Sequence, residues 1–235
     1  MAEKRVTRKE LLKEPDEFIS FSGKALQYTR DNPRTVGICT VIVIAAICVA
    51  AGLYEYRQYR LSQSHQLFEE VYRTYQMAML SQEKASDETL DQLFKEFEEI
   101  AAQYPSLPAG EKALLYTGHV LYMKKDYRGA LDRYTRMKTT GLVEKGLGSL
   151  VLYHIAMTRQ ALKEYEGALS LFDQLSKDTN SPYRREAVAS IAGIYEAMGK
   201  TKEAAQTYRQ YLKMFPEAPD APYIKARIAD LSTSG

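Results

Sequence analysis

The chain has 235 residues, 45% of them hydrophobic and 26% charged, with a formal net charge of +2. That balance argues against nucleic acid as a partner, since a phosphate-tracking surface needs basic clusters with interleaved aromatics, and here the charges alternate in sign. The only two cysteines, Cys39 and Cys48, offer no CxxC or Cys/His metal spacing; on one helix they would stand ~13 Å apart, beyond the ~7 Å reach of a disulfide.

The first 34 residues carry Lys4, Arg5, Arg8, Lys9, Lys13, Lys24, Arg30 and Arg34 against six carboxylates, a short basic tail of the kind retained in the cytoplasm. Within it Phe18, Ser22, Ala25, Leu26 and Thr29 recur at helical spacing, Pro15 suits a first turn and Asp31-Asn32-Pro33 a stop. This predicts a short amphipathic helix on the inner membrane surface, with a solvated docking helix as the other use.

Residues 35–54, TVGICTVIVIAAICVAAGLY, contain no charge. At ~1.5 Å per residue they make ~30 Å of helix, the hydrocarbon thickness of a bilayer. Arg30, Asp31 and Arg34 fence the run on one side and Glu55, Arg57 and Arg60 on the other, while Tyr54, Tyr56 and Tyr59 stand where an aromatic belt would. A soluble core helix and a signal peptide compete with a membrane span. Val49 and Ala51 resemble a cleavage site, but 34 residues precede the run, and the run continues past that site. Ile38 before Cys39 and Ile47 before Cys48 do not fit lipid attachment, which needs a small residue there. The expectation is one transmembrane helix, with the N-terminus in the cytoplasm and the C-terminal part across the bilayer.

Beyond it, residues 55–235 balance acid and base, and three segments repeat: LLYTGHVLYMKKDYRGALDRY (114–134), LYHIAMTRQALKEYEGALSLF (152–172) and VASIAGIYEAMGKTKEAAQTY (188–208). In each, a small residue (Gly118, Ala156, Ala192) precedes an alanine (Ala130, Ala168, Ala204) by twelve positions, and an aromatic (Tyr134, Phe172, Tyr208) follows four later. The period matches stacked helical hairpins. Two antiparallel helices approach closely where both are small, and the aromatic fills the gap against the next hairpin.

This pattern resembles the tetratricopeptide repeat, and in the last copy the resemblance extends to Ala192, Tyr195, Ala204, Tyr208 and Pro216. It implies an all-α fold: a right-handed α-α superhelix of degenerate hairpins over about 65–105, 111–141, 149–180 and 185–218, with a capping helix over 221–231. The earliest hairpin would pair helices over 65–79 and 87–103, and longer intervals imply loops such as 139–148. The expected domains are then a tail (1–34), a transmembrane helix (35–54) and a repeat domain (55–235). The resemblance also implies a concave groove lined by first helices, with Leu115, His119, Tyr122, Met123, Tyr153, His154, Met157 and Gln160 as its candidate protein-binding residues. Flexible thioethers and flat rings with little charge suit adaptable binding of apolar segments, although the same residues could equally pack on a neighbouring helix or a second copy of the chain.

His65, His119 and His154 are the only obvious catalytic candidates, and no serine elbow, phosphate-cradling loop, HExxH or paired-acid motif accompanies them. No enzyme, cofactor or metal site is expected. The order of parts resembles the YfgM group of bacterial inner-membrane proteins, which implies repeats in the periplasm beside the Sec translocon, periplasmic chaperones and nascent clients. A scaffold for cytochrome maturation or envelope assembly is the alternative.

Overall fold

Several helices in this chain end beside a proline or at a left-handed residue. The structure, a computed structural model, describes residues 17–81 and 85–233. Among these every regular element is helical: α1 (Glu17–Asp31), α2 (Pro33–Leu80), α3 (Asp87–Gln103), α4 (Pro108–Met123), α5 (Tyr127–Met137), a kinked turn (Val143–Leu147), α6 (Gly148–Ala161), α7 (Tyr165–Lys177), α8 (Arg184–Ala197), α9 (Thr201–Met214) and α10 (Ala221–Thr233). The chain divides into two compact units, Met1–Tyr59 and Arg60–Gly235.

In the first unit α1 stops at Asp31, and Pro33 opens α2 at the position where a missing N–H costs nothing. Pro15 and the basic residues ahead of Glu17 lie outside the described residues. Ile38, Val41, Ile42, Ile47 and Leu53 all turn more than half of their surface outward, and both cysteines are free. By length and composition α2 is the one described helix able to cross a membrane. It also runs through to Leu80, where the sequence predicts a separate helix over 65–79. The reason is that residues 55–64 hold neither proline nor glycine, so nothing interrupts the ladder.

In the second unit each helix from α3 to α10 packs on the next, forming a superhelical array of hairpins α4/α5, α6/α7 and α8/α9 closed by α10. Ala130, Ala156, Ala168, Ala192 and Ala204 are wholly buried, and with them Tyr134, Phe172 and Tyr208 are at most 5% exposed. Each such ring contributes roughly 1.5–3 kcal/mol by leaving water. Gly118 is smaller than its counterparts for a reason, since a Cβ there would stand 2.6 Å from Cε1 of Tyr134. The first hairpin is joined differently, through rings: Phe68 at the end of α2 packs against Phe97 of α3 with centroids 6.0 Å apart.

The three hairpin turns are built alike. Lys125, Lys163 and Gly199 are left-handed, at φ 64°, 62° and 72°. After them the N–H groups of Asp126, Glu164 and Lys200 donate back to the carbonyls of Leu121, Arg159 and Tyr195 at 2.9, 2.9 and 2.8 Å, the Schellman pattern that satisfies helix-end carbonyls. Between the second and third hairpins, the Glu111 carboxylate of α4 accepts from the Gly141 and Leu142 N–H groups, both at 3.0 Å. The chain then kinks between two helical turns at Gly146, which takes φ 105°. The loop predicted over 139–148 is thus largely turn and helix. At the far end the Tyr211 hydroxyl donates to Asp220 and Arg227 of α10 pairs with Glu196 of α8, which fixes the closing helix.

Candidate functional site

The first helices of successive hairpins bring a row of rings together. Tyr75 on α2 lies edge-on to Tyr116 of α4 at 5.1 Å, and Tyr116 meets His119 at 5.3 Å. His119 reaches across to His154 of α6, with Nε2 to Nε2 only 3.1 Å. Tyr153 flanks His154 at 5.8 Å and stacks on Tyr183, just ahead of α8, at 4.7 Å. Such offset and edge-on pairs add roughly 0.5–1.5 kcal/mol each beyond their buried area, so the row is both a surface and part of the packing.

Burial sets the electrostatics of this face. It pushes the phenols of Tyr75, Tyr116, Tyr122 and Tyr153 above their usual range, with neighbouring phenols adding to the shift and, at Tyr153 and Tyr116, the Glu186 and Glu69 carboxylates as well. Burial likewise lowers His154 to about 4, and burial followed by the facing His154 ring lowers His119 to about 3. Both imidazoles are therefore neutral at pH 7 and share one N–H between the two Nε2 atoms. Among the described residues charge borders the row: Lys112 lies over the Phe68 ring at 5.5 Å, and Glu186 and Glu196 pair with Arg185 and Arg227.

Of the residues assigned to the groove from sequence, His119, Tyr122, Tyr153, His154, Met157 and Gln160 are half-buried on α4 and α6. Tyr122 packs edge-on against Tyr127 at 5.1 Å. Met123 packs with the core cluster around Phe68 and Phe97, and Met157 with that around Phe172. Among the described residues nothing donates to the buried Oε1 of Gln160. Leu115 is different, being 5% exposed and gathered with Tyr134, Val151 and Ile155, because it points at the next hairpin and not at the open face. Tyr195 is half-buried beneath the Lys200 ammonium, and Pro216 follows the end of α9. Sequence reasoning did not assign Tyr72, Tyr75 or Tyr183 to this row; the three-residue spacing of the first two on one helix was the available signal. Among the described residues, no three of His, Cys, Asp and Glu gather as a metal site would require.

Arrays of this geometry are known. Nearly identical TPR-like repeats from Podosopora anserina, described as a candidate kinesin light chain, superpose with a TM-score of 0.56 at 14% identity, over 74% of this chain and 87% of that one. A tetratricopeptide repeat protein from Parabacteroides merdae gives 0.53 at 18% identity, over 72% and 61%. No curated protein matches. A family description of the tetratricopeptide repeat-like domain covers residues 30–233, nearly the whole chain. The chain belongs to the tetratricopeptide repeat-like family.

Proposed function

We propose that this chain is a membrane-anchored scaffold whose repeat domain holds apolar segments of other proteins. The observation that carries the reading is the row from Tyr75 to Tyr183, a run of half-buried rings on successive first helices. Flat rings and the thioethers of Met123 and Met157 accept many apolar shapes and select few. The exposed apolar face of α2 supports anchoring. The resemblance to the YfgM group supports a bacterial inner-membrane setting, with the N-terminus cytoplasmic, the domain of residues 55–235 periplasmic, and clients emerging at the Sec translocon.

The test is a titration of the full chain in lipid nanodiscs with peptides of graded hydrophobicity, at low and high salt. Native protein should bind weakly and with little salt dependence, since apolar burial and not a charged clamp drives it. Tyr153→Ser with Met157→Ser should weaken binding. Equal binding by both proteins would remove this face as the site, and loss of the helical signal in the variant would assign these side chains to packing. Crosslinking from Tyr122 in cells would then separate translocon clients from partners in cytochrome maturation or envelope assembly.

A further inference from the structure

Among the described histidines, His65 is exposed beside Glu69, whereas His119 and His154 sit 35 positions apart in sequence and face each other across the seam between two hairpins. With 3.1 Å between Nε2 atoms, one nitrogen must donate and the other accept. The first added proton can sit on Nδ1 of the donating ring and keep the contact, but once both rings are charged two N–H groups point at each other and the contact is lost. The groups that face the pair are all phenols: Tyr116 on α4, Tyr134 on α5 and Tyr153 on α6, with Tyr75 of α2 behind Tyr116. Neither a carboxylate nor an ammonium among the described residues acts on either ring. An added positive charge here would have no counter-ion.

The same seam carries a kink in the backbone. The connection across it kinks between two helical turns at the left-handed Gly146, whose Cβ direction is open for 4 Å. Glycine is the residue that lets a chain swing through positive φ. Arrays of this kind are held only by nearest neighbours, so a seam can part while the hairpins on either side stay folded.

We propose that the seam between α4/α5 and α6/α7 is an acid-sensitive hinge, in which protonation of the His119–His154 pair parts the two hairpins about the turn at Gly146. At neutral pH the shared N–H closes the seam and aligns the row of rings. In acid the two imidazolium rings repel, and the row divides between Tyr116–His119 on one side and His154–Tyr153 on the other. The inference does not depend on what occupies the groove.

Hydrogen exchange of the full chain in nanodiscs, corrected for the intrinsic effect of pH, tests it. Between pH 7 and pH 4.5, amides in the second half of α4 and in α6 should lose protection at least tenfold in the native chain, while those of α8 and α9 hold theirs. His119→Gln with His154→Gln, which keeps an amide pair but does not titrate, should abolish that local loss, and the exposed His65→Gln should not. The same acid response in the double variant, or a loss spread evenly over all repeats, would overturn the proposal. Should the double variant not fold, nitrogen NMR of the native chain decides. One Nε2 protonated and its neighbour bare at pH 7 supports the hinge, and either ring titrating like a free histidine refutes it.

Discussion

Replacing Gly118 with alanine sets two effects of known size against each other. An alanine in mid-helix is favoured over glycine by about 0.8–1.0 kcal/mol. Against that, the new methyl would lie 2.6, 2.9 and 3.0 Å from Cε1, Cδ1 and Cζ of Tyr134, a ring only 1% exposed and unable to swing aside. Overpacking of this kind costs about 1–3 kcal/mol, so Gly118→Ala should destabilise the second hairpin by up to ~2 kcal/mol net. Gly193 is the control. It lies inside α8, and no atom outside its own helix stands within 4 Å of the added carbon, so Gly193→Ala should gain ~1 kcal/mol from propensity alone. Native-state hydrogen exchange reads the local opening free energies of α4–α5 and α8–α9 directly. If both substitutions stabilise their hairpins equally, the close approach of Tyr134 to α4 is wrong, and with it the packing rule inferred for the whole array.

Other outcomes follow from the same geometry. Lys163→Gly should stabilise the third hairpin by about 0.5–1 kcal/mol in the same exchange experiment, because a left-handed L-residue costs ~1–2 kcal/mol and glycine's extra entropy returns part of it. Glu111→Ala should cost roughly 1.5–3 kcal/mol, the worth of hydrogen bonds to a charged group, and should appear as lost protection at Gly141 and Leu142. The depressed His119 and His154 make the fold's stability fall with acid: it is fully present above the ordinary value of 6.5 and is lost as pH drops toward about 4 and about 3. By pH 5 this amounts to about 2 kcal/mol per imidazole at ~1.4 kcal/mol per unit. Denaturant melts at pH 7 and pH 5 check it, and equal midpoints would refute the burial of the pair. A reporter fused after Gly235 should be active only outside the cytoplasm, and cytoplasmic activity would overturn the orientation.

What the sequence makes legible is the part governed by short-range rules. A small residue, an alanine twelve on and an aromatic four later identify a hairpin because helix pairing is a local constraint, and α3 falls on the 87–103 predicted for it. Contacts between repeats are harder to read. Nothing near His119 announces a partner 35 residues away, and counting positions puts Leu115 on the open face although α4 is covered by neighbours on several sides. Lys125 and Lys163 gave no sign of left-handed backbone, since glycine is the usual signal there and only Gly199 supplies it. The continuity of α2 is not legible because a change from apolar to charged composition marks a change of surroundings, not of backbone.

Glu111 holds Gly141 and Leu142 against α4, yet a few residues on Gly146 is exposed and has nothing beside it. The connection is therefore fastened at its entrance and free at its middle. Lengthening it after Gly146 would leave the carboxylate clamp and both hairpins untouched, and each doubling of a loop costs only ~0.6 kcal/mol. This is the place where the array could take up an inserted peptide tag, or grow new sequence over generations, without its repeats losing register.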